Sequence, residues 1–96
     1  MKRLIFSPKA TLDIDQIYDY TEEMWSSEQA ESYIFAIRDH CDALIAGTAR
    51  GRTINGIKPG YLALVSGSHF IVYKDDARTV TIIRILHRRM NIGSHL

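Results

Sequence analysis

The chain has 96 residues, 46% hydrophobic and 24% charged, with twelve Lys/Arg against eleven Asp/Glu and a formal net charge of +1. That size fits a single domain spanning 1–96 with a modest core, and the ordinary composition excludes disorder, collagen and coiled coil. No apolar run approaches the roughly 20 residues of a membrane span, the start Met1-Lys2-Arg3 lacks a signal-peptide core, and the lone Cys41 rules out an internal disulfide, so a reducing cytoplasm is the expected setting.

Arg3 to Phe6 reads as a short first strand. Ser7 then serves as N-cap, and Pro8 at the first helical position gives up no bond it needed. Ala10, Ile14, Ile17, Tyr18, Thr21, Met24 and Trp25 recur at helical steps, placing Asp13, Asp15, Asp19, Glu22 and Glu23 mostly on the wet side. Ser26, with Gln29 three positions on, starts a second helix as a capping box. Its stripe is Ala30, Tyr33, Ile34, Ile37, Cys41 and Leu44, and Gly47 stops it. The two helices form a hairpin joined at a Ser-Ser step.

The period then changes. Ala49 to Gly60, with Gly51, Gly56, Pro59 and Gly60, reads as a loop. Tyr61–Ser66, His69–Lys74 and Thr79–His87 are rich in Val, Ile, Thr and Tyr at strand length. Gly67-Ser68 makes a two-residue hairpin turn with glycine leading, and residues 75–78 close a second hairpin. Residues 88–96 show no clear period. The expected architecture is α+β, in the order β-α-α-β-β-β, with a mainly antiparallel sheet and a helical hairpin packed on one face. The last two strands are apolar on both sides, so the second sheet face calls for cover by the tail, a second copy or another protein.

Charge is unevenly placed. Residues 1–48 hold four basic and nine acidic side chains, a net −5, whereas residues 49–96 hold eight basic and two acidic, a net +6. Two readings stand: the halves neutralise each other by salt bridges, or one side of the domain is a basic surface.

His40, His69, His87 and His95 have no ligand-like spacing among themselves or with Cys41, so no metal is expected, and residues 51–60 are too irregular for a phosphate loop. Cys41 lies on an apolar stripe as a small hydrophobe. Strict alternation puts Arg84 on one strand face with Ile82 and Leu86, where its guanidinium needs an acceptor or a path to solvent. His87, Arg88 and Arg89 follow, and Met90 adds an adaptable apolar knob. His87 is of the residue type that serves as a general acid or base, or it caps the strand while Arg88 and Arg89 stand in solvent. Arg50 and Arg52 divide the same way, between phosphate contacts and plain solvation.

Several stretches together resemble the ParE-type toxins of bacterial toxin–antitoxin modules. They are Ser7-Pro8-Lys9-Ala10 opening a helix with Asp13-Ile14 and residues 17–20, Gly51-Arg52, Gly60-Tyr61, the run from Ser66 to Tyr73, and Arg84-Ile85-Leu86-His87 leading to Met90-Asn91 and Ser94-His95-Leu96. The resemblance covers nearly the whole chain and implies the RelE/ParE fold and a ParD-like antitoxin covering exposed toxin surface. The superfamily divides into poisons of DNA gyrase and ribonucleases acting on the ribosome. Where the ribonuclease branch offers strand arginines and a terminal tyrosine, this chain has Leu62 and Phe70, and no tyrosine after Tyr73. Cleavage by a 2′-hydroxyl needs a base, an acid and cations, so the resemblance implies a non-enzymatic gyrase poison without catalytic residues or cofactors. A ribosome-dependent endoribonuclease and an inactive toxin-like binding module are the alternatives. The residues expected to face the target are Arg84, His87, Arg88, Arg89 and Met90; those expected to meet the antitoxin are Trp25, Leu62 and Leu64. Neither a membrane nor sequence-specific nucleic-acid binding is expected.

Overall fold

Ser7 shows how the first strand becomes a helix. Its hydroxyl accepts from the Ala10 N–H and donates to the Ile83 carbonyl, capping the helix and tying it to the sheet in one side chain. A computed structural model describes residues 2–54 and 58–96, so Gly56 of the expected loop lies outside the described residues. The elements are β1 (Arg3–Phe6), α1 (Pro8–Met24), α2 (Ser27–Ala46), β2 (Arg52–Thr53), β3 (Tyr61–Ser66), β4 (His69–Asp75), β5 (Thr79–His87) and a closing 3₁₀ turn (Ile92–His95). The sheet order is β1-β5-β4-β3-β2, antiparallel apart from β1 beside β5.

The expected α+β architecture is therefore present, with two additions. A two-residue strand, β2, sits inside the stretch read as loop, and β4 runs on through Asp75. Two polar residues carry no periodic signal; Arg52 and Thr53 become a strand only because Ala63 and Leu62 lie opposite them. The glycine before them is held to close contact. A Cβ at Gly51 would stand 2.6 Å from the Ala63 carbonyl oxygen and 2.9 Å from the Tyr73 ring.

The core lies between the helical hairpin and one sheet face. Ala10, Ile17, Ile37, Cys41 and Leu44 from the helices meet Leu62, Ile71, Tyr73, Val80, Ile82 and Ile85 from the sheet. Burial also pushes the Cys41 thiol up to about 12, so it is an inert core group. The first helical stripe does not stay buried to its end. Met24 is 57% exposed and Trp25, the C-cap, 73% exposed.

Strict alternation fails in β5. Val72 faces Arg84 while the next residue, Tyr73, faces Ile82, so Ile83 is an extra residue in a β-bulge. The bulge changes phase between Ile82 and Arg84, which corrects the expectation that these two share a face with Leu86. The helix-free face is also not uniformly apolar. Val72 and Leu86 are fully buried there, while register places Arg3, Arg52 and Lys74 outward on it, all exposed.

The uneven charge becomes a division between layers, with the acidic half in the helices and the basic half in the sheet. Among the described residues the ion pairs are Lys2–Asp75, Arg50–Asp75 and Arg84–Asp13. Only the last joins a helix to the sheet, so mutual neutralisation does not account for the asymmetry.

Candidate functional site

Where β1 ends, the neighbouring edge of β5 loses its strand partner. Asp13, from the first half of α1, fills that place. Its carboxylate accepts from the Ile85 N–H at 2.9 Å and from Arg84 Nε and Nη2, each at 2.8 Å. The remaining Arg84 nitrogen, Nη1, donates to the His95 carbonyl at 3.0 Å and pins the tail. Asp13 raises the Arg84 pKa further, chiefly through their hydrogen bonds. Asp13 is thus buried rather than on the wet side of α1, and Arg84 is turned inward. The guanidinium finds the acceptor it needs inside the protein, while Arg84 still lines the groove described below.

Beside this pair lies a polar chain that the sequence reading passed over. The Tyr33 hydroxyl, from α2, accepts from the Ser68 N–H at 2.8 Å and lies 2.6 Å from His69 Nδ1. The His69 ring in turn meets His87 edge to face, with centroids 5.3 Å apart. Desolvation, and secondly the neighbouring His87, lowers the His69 pKa, with Asp13 opposing. With its proton on Nε2, a neutral His69 can accept a hydrogen bond from the Tyr33 hydroxyl at Nδ1; the Ser66 carbonyl, 3.4 Å away, is the hydroxyl's other acceptor. Gly67 makes this arrangement possible. It has φ +58°, as a glycine-led turn requires, and a Cβ there would stand 2.8 Å from the Tyr33 oxygen. Register pairs His69 with His87, so the two rings share one sheet face. Recognising that from sequence needs the Gly67-Ser68 turn and the bulge together.

After His87 the chain turns back, with the Met90 N–H donating to the His87 carbonyl at 2.9 Å. Arg88 and Arg89 project from this turn, both exposed. The Arg88 guanidinium lies 5.9 Å from the Phe70 ring centroid, and the Arg89 N–H donates to His87 Nδ1 at 3.2 Å. No carboxylate pairs with either arginine among the described residues. The two arginines, His87 and Ser68 line a shallow basic recess.

A larger groove, about 870 Å³, opens between the C-terminal half of α1, the start of α2 and the end of β5. Its walls include Ile17, Tyr20, Trp25, Tyr33, His69, His87 and Met90, together with the Asp13–Arg84 pair. Tyr20, Trp25 and Met90 are 63%, 73% and 46% exposed. Of the residues expected to meet a partner, Trp25 stands at this groove. Leu62 and Leu64 do not. Both share a sheet face with Ile71 and Tyr73, Leu62 being 6% exposed in the core and Leu64 packed against it. That corrects their expected exposure on the sheet: the alternation was right in period, but the helices cover this face. Among the described residues no group of three or more His, Cys, Asp or Glu side chains could hold a metal ion.

The family model for the ParE toxin of the type II toxin–antitoxin system parDE matches residues 4–92. Toxin ParE1 of Mycobacterium tuberculosis is 34% identical over 95 residues, covering 98% of this chain and 97% of that protein. Toxin ParE1 of Caulobacter vibrioides is 34% identical over 96 residues, covering 100% of this chain and 99% of that protein. Among solved structures, the chromosomal ParDE TA system from P. aeruginosa has the same fold, with a TM-score of 0.77 and 24% identity over 91% of this chain and 96% of that one.

Proposed function

The chain belongs to the ParE toxin family of type II toxin–antitoxin systems, and from that premise we propose that it disables DNA gyrase by binding and is silenced by a ParD-like antitoxin seated in the groove. One observation carries the reading: His87 and Met90 line the groove while belonging to the same turn as Arg88 and Arg89. An amphipathic antitoxin segment lying across Tyr20, Trp25 and Met90 buries their exposed apolar surface and covers the turn in the same act. The target group is then His87, Arg88, Arg89 and Met90, with Arg84 holding the scaffold beneath it. Two unpaired guanidiniums on a rigid turn suit an acidic protein surface.

A second reading, a ribosome-dependent endoribonuclease, is favoured by the contact between His69 and His87 beside the two arginines. Two imidazoles supply an acid and a base, and the arginines supply cations for a phosphorane. One experiment separates them. Purified toxin is added to a gyrase supercoiling assay and, in parallel, to a translation extract whose transcripts are followed by gel. Loss of supercoiling with intact transcripts supports the gyrase reading; cleaved transcripts with normal supercoiling establish the ribonuclease.

A further inference from the structure

Apart from Arg88 at its end, neither reading uses the sheet face that the helices leave uncovered. Among the described residues the strand charges on it are of one sign, the exposed Asp76 lying beyond β4 in the turn. Arg3, Arg52 and Lys74 point outward by register, Lys58 joins them at Tyr61, and Arg88 lies over Phe70 at the opposite end. β4 has a single acidic residue, Asp75, which pairs with the core residue Val80 on the helix side and is bound by Lys2 and Arg50. No other strand carries a carboxylate among the described residues.

Two aromatic rings sit within this basic field. Tyr61 has Lys58 Nζ at 5.7 Å and Lys74 Nζ at 5.5 Å from its centroid. Phe70 has the Arg88 guanidinium at 5.9 Å. Tyr61 pairs with Lys74, four residues along β4 from Phe70, so the two rings are spaced by about 13 Å on one face. Both are half-buried: anchored in the sheet, with a part still open.

We propose that this face binds single-stranded nucleic acid, DNA or RNA, without sequence preference. Single strands are held by cations that track the phosphates and by aromatic faces on which unpaired bases stack, and this face has both, interleaved. An acidic protein segment would use the cations and leave the rings without a role. Duplex DNA is read by a helix or ribbon entering a groove, and a broad sheet face with embedded rings does not fit that geometry. The lysines over Tyr61 are long and exposed, free to move to a phosphate when a base takes their place on the ring. The proposal holds under either reading of the target, because Tyr61, Lys58, Lys74 and Arg52 belong to neither the groove nor the His87–Met90 turn.

The test is fluorescence anisotropy with a labelled oligonucleotide of about 12 nucleotides, as DNA and as RNA, and the full-length protein. Binding is expected at micromolar concentrations in about 50 mM salt, weakening on the order of 50-fold by about 200 mM if four phosphates are neutralised. Lys74→Glu, an exposed position, should weaken it further, and Tyr61→Ala should cost roughly ten-fold. Melting curves of both variants establish that they fold. The DNA and RNA arms show which strand the face prefers, and either supports the proposal. It is overturned by absence of binding at low salt, by tighter binding of the matching duplex, or by heparin and poly-glutamate competing equally well while folded Tyr61→Ala binds like the parent.

Discussion

Asp13 and Arg84 grip each other across a sequence separation of 71, with two nitrogens of the arginine each 2.8 Å from a different carboxylate oxygen. The same carboxylate takes the Ile85 N–H, and the same guanidinium takes the His95 carbonyl. One pair therefore joins the first helix, the bulged strand and the tail, and both of its residues line the groove.

Removing Asp13 leaves the partly buried Arg84 without its carboxylate and the buried Ile85 N–H without its acceptor. Asp13→Ala is expected to lower unfolding free energy by roughly 3–5 kcal/mol, while Asp13→Leu with Arg84→Met recovers only part of the loss, because apolar packing replaces the pair but leaves the Ile85 N–H without its acceptor. Urea denaturation of the three proteins checks this. A single variant as stable as the parent would show that the pair contributes nothing.

Gly51 and Tyr73 make a second test, aimed at the packing of the short strand β2. The Tyr73 hydroxyl accepts from the Gly51 N–H at 2.6 Å, and there is no room for a side chain at Gly51. Gly51→Ala should cost about 1–3 kcal/mol through the clash with the Ala63 carbonyl. Tyr73→Phe should cost about 1–2 kcal/mol through the orphaned donor. Thermal melts of both variants measure these losses, and an unchanged midpoint for Gly51→Ala would contradict the close contact described for it.

Much of this was legible in the residues, for identifiable reasons. Ser7-Pro8, Ser26 and Gly47 mark helix ends because each solves a local problem of unpaired amides or positive φ; Gly47 does have φ 79°. Leu62 and Leu64 show the limit of such reasoning. Their alternation is visible, but which face the helices cover is a tertiary fact. The apolar neighbours of Arg84 show that it needs an acceptor, yet the acceptor lies on a helix 71 residues away. The contact of His69 with His87 was hidden for a related reason, since one extra residue at Ile83 resets the pairing along β5.

Acid should weaken the fold through His69. Burial and His87 lower its pKa in the folded protein below the ordinary 6.5. The unfolded chain then binds more protons than the folded one as pH falls through that range. The contribution of His69 is fully present above about pH 7.5 and is lost progressively as pH falls through 6.5 toward the lowered folded value. Melting temperature followed from pH 7.5 to 5.5 should fall more steeply for the parent than for His69→Gln. Parallel curves would contradict the lowered pKa.

Arg88→Ala combined with Arg89→Ala should reduce toxicity on induced expression by at least ten-fold in colony counts. Both side chains are exposed and unpaired with carboxylates, so folding and antitoxin binding should stay near those of the parent. A double variant that kills as well as the parent, or that fails to fold, would remove these arginines from the target group.

Trp25 offers the most direct test of the account, because it is the chain's only tryptophan and stands exposed at the groove. The toxin is labelled with 5-fluorotryptophan and titrated with the antitoxin of its system while its single fluorine resonance is followed by NMR. Filling of the groove should shift that resonance and shield it from a soluble paramagnetic agent, and Met90→Glu should weaken the complex by at least ten-fold. A saturated complex in which the Trp25 resonance neither moves nor loses its solvent exposure would contradict the claim that the groove is where the toxin is silenced.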